Sequence, residues 1–178
     1  MEFFEKTKKS ERLFCGKLID VSRHVVELPD GSESWREVVE HPGGVCIAAV
    51  DDDRNIYLVE QYRYPMQEVT LELPAGKLEP DEDPRLAAER ELSEETGISA
   101  SEIKNAGVLY PSPGYCGERL YLFIATGLTQ GEQHLDEGEL VRCHKMPLRD
   151  AVALVLNNEI KDAKSVALIV MADNLINV

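Results

Sequence analysis

The feature that most narrows the fold is a short acidic segment, Arg90-Glu91-Leu92-Ser93-Glu94-Glu95-Thr96-Gly97-Ile98, with Asp83-Pro84 upstream. Asp is a favoured N-cap, Pro is favoured at the first helical position, and Gly is favoured just past a helix end. Together they predict a helix of three to four turns that begins at Pro84 and ends at Glu95 or Thr96. At about 100° per residue, Glu91, Glu94 and Glu95 fall inside an arc of roughly 100°. Three like charges on one face repel one another. Either water solvates them fully, or a hard cation that takes oxygen ligands neutralises them. Ala87 lies on the same face and leaves room there. Arg90 stands at i,i+4 to Glu94, where it can pair with that carboxylate and orient it.

The segments around this helix read mainly as strands. Loose alternation from Leu13 to Val21, then Val25-Val26-Leu28 running into Pro29-Asp30-Gly31, predicts two strands and a turn, with a third strand from Trp35 to His41. Val45 to Val50 is a nearly continuous apolar run, as in a buried central strand. The polar turn Asp51 to Asn55 then predicts an antiparallel neighbour from Ile56 to Tyr62. Further strands are expected at 68–74, 106–110, 120–125 and 139–145, with a polar loop from Ala75 to Asp83. Apolar residues at i, i+3, i+4 spacing predict helices at 150–157 and 165–175. Alternating strands and helices in a chain of 178 residues indicate one α/β domain with a sizeable core.

Composition removes several function classes. With 19 basic and 33 acidic residues the formal charge is 19 − 33 = −14, which opposes attraction to a phosphate backbone, so no nucleic-acid partner is expected. No apolar run approaches the roughly 18 residues that span a bilayer, so no membrane partner is expected either. Cys15, Cys46, Cys116 and Cys143 form no C-x-x-C pair. Without an apolar leader at the N-terminus, four free thiols and a cytoplasmic location are expected.

The wider spacing carries more information. Gly76 is followed after five residues by Glu82, after seven more by Arg90-Glu91-Leu92, then by Glu94-Glu95 and Gly97-Ile98, with one residue in each of the last two gaps. This resembles the signature box of the Nudix hydrolases at every position. Seven fixed and two aliphatic positions match by chance less than about once in a million chains of this size. The resemblance implies a Nudix α/β/α sandwich with a mixed sheet. Residues 1–43 then form a small N-terminal antiparallel β extension carrying dimer contacts, and residues 44–178 form the hydrolase domain, with the box at 76–98. It also implies Mg²⁺, or Mn²⁺, as cofactor. Glu91 and Glu95 match the direct ligands, Glu94 lines the metal cluster, and the Ala75 carbonyl supplies a non-carboxylate ligand. Glu82, near the helix start, reads as structural, and Gly76 and Gly97 serve backbone geometry.

The flanks resemble the ADP-ribose pyrophosphatase subgroup. They are Glu37-Val38-Val39-Glu40-His41-Pro42-Gly43-Gly44, Val59-Glu60-Gln61-Tyr62-Arg63, Leu71-Glu72-Leu73-Pro74-Ala75-Gly76-Lys77, and Tyr110-Pro111-Ser112-Pro113-Gly114-Tyr115-Cys116-Gly117-Glu118. Pro113 stands sixteen residues after Gly97, and Glu118 matches the subgroup's loop glutamate. The implied reaction is hydrolysis of ADP-ribose to AMP and ribose 5-phosphate. Arg63 is expected to clamp diphosphate oxygens bidentately. Arg36 and Glu37 are expected at the nucleoside, with Pro113 in the substrate loop. Trp35, Phe14 or Tyr115 would supply an aromatic platform for adenine. The subgroup builds part of its site from a partner's N-terminal strands, which implies a homodimer. Arg90 and Glu94 join the catalytic set. The general base is expected in the acidic stretch His134 to Glu139, at Glu137, with Glu139 and Glu118 as rivals and a merely solvated loop as the alternative. Another nucleoside diphosphate sugar, such as GDP-mannose or ADP-glucose, or a non-catalytic nucleotide-binding regulator, remains open.

Overall fold

A computed structural model describes residues 3–135 and 138–176. The chain divides into two compact units, one formed by residues up to Gly43 together with Tyr110–Arg119, the other by Gly44–Leu109 and Leu120 onward. In the first unit the alternating N-terminal segment forms an antiparallel sheet in the order β1 (Lys6–Cys15), β2 (Asp20–Glu27), β3 (Glu33–Glu40). The β2–β3 turn closes through Leu28 N–H to Ser32 O at 2.8 Å, with Gly31 at φ 83° and Asp30 accepting from the Ser32 amide at 2.9 Å. Residues 110–119 join this unit beside β3, where Val39 N–H donates to Tyr115 O at 2.8 Å and Gly117 N–H donates to Val39 O at 2.9 Å.

The second unit contains β4 (Gly44–Ala49), β5 (Asn55–Arg63), β6 (Glu68–Glu72), β7 (Ala75–Lys77), α1 (Pro84–Thr96), β8 (Ile98–Leu109), β9 (Leu120–Gln130), β10 (Val141–Pro147), α2 (Leu148–Leu156) and α3 (Ala163–Leu175). β4 is buried throughout and carries the architecture. It pairs parallel with β9 and antiparallel with β7, giving the mixed sheet β7-β4-β9-β8. Side chains alternate across a strand. Val45, Ile47 and Ala49 therefore pack with Ala87, Ala88 and Leu92 of α1 on one face. Cys46 and Ala48 pack with Leu148 and Ala151 of α2 and with Leu168, Ile169 and Ala172 of α3 on the other. This is a mixed α/β sandwich, and Ala87 is part of its core.

Two expectations change. Ile56 to Tyr62 does form a strand, but β5 joins β10 and β6 in a separate antiparallel sheet. Both edges of β4 are already occupied by β7 and β9, leaving only a single Val50–Ile56 bridge between the predicted hairpin partners. The segment from Ala75 to Asp83 opens as strand β7 before it becomes a loop. The four cysteines are free thiols, and among the described residues no helix is long and apolar enough to cross a membrane.

Candidate active site

α1 is fixed at both ends by the residues that predict it. Asp83 Oδ1 accepts from the amides of Arg85 (2.8 Å) and Leu86 (3.3 Å), and Gly97 closes the helix at φ 71°, its N–H donating to Ser93 O at 2.8 Å. With Ala87, Ala88 and Leu92 against β4, the rotation of the helix is set, and Glu91 and Glu95 are carried onto β7. Ala75 N–H donates to Glu95 Oε2 at 3.0 Å. A Cβ on Gly76 would stand 1.7 Å from Glu91 Oε1, so this glycine is the space in which the carboxylate lies.

Arg90 organises the remainder. Its Nε donates to Glu82 Oε1 at 3.0 Å, and its Nη1 donates to Glu91 Oε1 at 2.8 Å and to Glu94 Oε2 at 2.9 Å. Glu82 also accepts from the Glu79 amide at 2.9 Å, which makes it a brace for Arg90 and for the loop that carries it. Gln133 Nε2 donates to Glu95 O at 2.6 Å and His134 N–H to Glu94 O at 3.0 Å, so the segment leading into the acidic loop is tied to the C-terminal turn of α1.

The electrostatics suit a cation. Burial pushes the Glu95 carboxyl up to about 8, and Glu91 and Glu139 add to that against the Ala75 amide and Arg63. Burial also raises Glu91 in spite of Arg90. Among the described residues no three His, Cys, Asp or Glu side chains are gathered closely enough to hold an ion as they stand. Their hydrogen bonds nevertheless occupy only one oxygen each of Glu91, Glu94 and Glu95. That leaves a set of hard oxygen donors, two of them desolvated, and the set fits an oxygen-seeking divalent ion.

Ala75, Arg90, Glu91, Glu94 and Glu95 are thus brought together, and the charges of Arg63 and Glu139 act on Glu95. The expected bidentate grip of Arg63 is already engaged: Nε and Nη2 each donate to Glu72 at 2.7 Å, leaving Nη1 as the nitrogen without a described partner. Arg36, Glu37, Trp35, Phe14, Pro113, Tyr115 and Glu118 belong to the first unit. There Arg36 Nε donates to Glu5 at 3.0 Å, Arg23 lies 5.8 Å from the centroid of the exposed Trp35 ring, and Glu118 Oε1 is 3.5 Å from His41 Nδ1. Glu137 lies outside the described residues. Sequence reasoning missed Gln133, which ties the acidic segment to α1, and Glu72 as the partner that holds Arg63.

Comparison with known proteins agrees with this geometry. The chain is 43% identical over 163 residues, covering 90% of this chain and 88% of the relative, to the ADP-ribose pyrophosphatase of Bacillus subtilis (strain 168). It is 41% identical over 166 residues, 92% of this chain and 90% of the relative, to the methanol dehydrogenase activator of Bacillus methanolicus. A solved structure described as an ADP compounds hydrolase superposes with a TM-score of 0.84 at 21% identity, covering 97% of this chain and 94% of that one, which shows the shared fold. The NUDIX domain matches residues 40–169, and this chain, with its box carboxylates set against Ala75–Gly76, belongs to the NUDIX family.

Proposed function

We propose that the chain hydrolyses the diphosphate of ADP-ribose to AMP and ribose 5-phosphate, with Mg²⁺ (or Mn²⁺) held by Glu91, Glu94, Glu95 and the Ala75 carbonyl. The observation that carries this reading is a pair of carboxylates, Glu95 buried and Glu91 partly buried, packed on the Ala75–Gly76 backbone. Leaving two acidic groups desolvated side by side is costly unless positive charge arrives. The family typically uses a divalent metal. When bound, such an ion neutralises the diphosphate and acidifies water beside it.

The residues then divide the work. Arg90 keeps Glu91 and Glu94 in register through one planar fork. Arg63 supplies positive charge near Glu95 for a phosphate oxygen. Water attacks one phosphorus, the bridging P–O bond breaks, and the second phosphate leaves with the bridging oxygen. Glu137 takes the proton of the attacking water. Its rivals are Glu139, whose charge reaches Glu91 and Glu95, and Glu118. Arg36, Glu37, Trp35, Pro113 and Tyr115 contact nucleoside and sugar in a homodimer whose N-terminal strands complete the site.

The test is AMP release from ADP-ribose, ADP-glucose, NADH and diadenosine polyphosphates, with GMP release from GDP-mannose, in Mg²⁺ and with Glu95→Gln as control. Turnover led by ADP-ribose and lost in the variant supports the reading. Preference for another sugar keeps the chemistry and changes the substrate. The similarity to a protein named as an activator favours a second reading, a nucleotide-binding regulator of another enzyme. That reading requires nucleotide-induced thermal stabilisation with no turnover, persisting in Glu95→Gln.

A further inference from the structure

One buried charge has no part in the chemistry above. Lys164, in the first turn of α3, has a side chain only 9% exposed. Its Nζ donates to Glu72 Oε2 at 2.6 Å and to Asp162 Oδ2 at 2.8 Å. Glu72, itself 2% exposed, also accepts from Thr70 Oγ1 at 2.7 Å and from Nε and Nη2 of Arg63 at 2.7 Å each. Arg63 is 40% exposed, so the chain of charges starts in the core and ends at an accessible guanidinium whose field reaches Glu95.

Burying an ammonium and a carboxylate is often no better for stability than well-packed apolar side chains would be. What the pair provides is fixed geometry. Glu72 has both oxygens occupied by four donor contacts and cannot rotate without breaking several of them. It therefore presents a rigid bidentate acceptor to Arg63, one edge of whose fork is docked while Nη1 is left for another anion. The anchor is itself anchored: Asp162 caps α3 by accepting from the Ser165 amide at 3.0 Å, and Ser165 Oγ accepts from Leu73 N–H at 2.7 Å.

We propose that Lys164, acting through Glu72, is a positioning residue that fixes the Arg63 guanidinium against the reacting diphosphate. This rests on the nucleoside diphosphate reading given above. Lys164 touches no substrate; its effect passes entirely through the orientation of Arg63.

The experiment is a double-mutant cycle of Lys164→Met and Arg63→Ala, read as kcat/KM on whichever panel substrate the wild type hydrolyses fastest, with melting temperature recorded separately. Lys164→Met is expected to lose about 10- to 100-fold. Adding it to Arg63→Ala is expected to change kcat/KM by less than about twofold, since no oriented guanidinium remains to lose. Where Lys164→Met does not fold, Glu72→Gln/Lys164→Met, which removes both buried charges, takes its place with the same expectation. A variant that melts earlier but keeps wild-type kcat/KM, or whose loss multiplies with that of Arg63→Ala, overturns the proposal and leaves Lys164 a structural residue. If the wild type hydrolyses nothing in the panel, the function reading fails. The cycle is then read from affinity for inorganic pyrophosphate with Mg²⁺: non-additive losses support the positioning role, and additive losses, no loss or no binding overturn it.

Discussion

Glu91 rests on the backbone of Gly76 because that residue has no side chain, and the approach leaves no room for one. Gly76→Ala must displace the carboxylate, so we expect kcat/KM to fall about 100-fold while the circular dichroism spectrum is retained. Arg90 holds three glutamates through one planar fork, which a lysine's point charge does not reproduce. Arg90→Lys should therefore lose at least about 10-fold in kcat with a smaller change in KM, measured by steady-state kinetics. Glu91, Glu94, Glu95 and Arg90 were legible in the sequence because helical spacing converts chain position directly into spatial position. Glu72 and Lys164 were not, since they meet only after β6 and α3 have packed, and neither residue's neighbours betray the pairing.

At the scale of elements, α1 is both a core helix and the scaffold of the candidate site, so under the proposed function its caps bear on activity as well as stability. Removing the Asp83 oxygen leaves the Arg85 and Leu86 amides unpaired. Asp83→Ala should cost about 1 kcal/mol, visible as a lower urea midpoint with an unchanged slope. At Gly97 a side chain would meet both a positive φ and the Glu132 backbone carbon at 2.7 Å, so Gly97→Ala should be the more damaging of the two in the same assay. These caps were readable because they depend on local chemistry. The partner of β5 was not, because pairing depends on which edges of β4 remain open. The buried run of β4 signals a central strand without naming its neighbours. The polar Asp51–Asn55 segment does reverse the chain, but into another sheet.

For the whole molecule, acid sensitivity follows from the buried network. Burial works to raise Glu72, yet Arg63, Lys164 and Thr70 together bring it down to about 2. A carboxyl depressed in the folded state stabilises fully above its ordinary range. That contribution fades as pH falls from about 4.5 to about 2, because the unfolded chain takes up the proton first. Urea unfolding across that range should lose stability more steeply in the wild type than in Glu72→Gln, and equal slopes would contradict this. The proposed metal site exists only in the folded chain, so Mg²⁺ should raise the melting temperature of the wild type, and the rise should shrink when Glu91 or Glu95 becomes Gln.

The most direct measurement is the rate of AMP formation from ADP-ribose in Mg²⁺, wild type beside Glu95→Gln, with the melting temperature of each confirming that both are folded. The expected result is fast wild-type turnover that falls about 100-fold or more when the buried carboxylate is neutralised. A folded wild type that releases no AMP, or a Glu95→Gln variant as fast as its parent, would contradict the assignment of this cluster as the hydrolytic site.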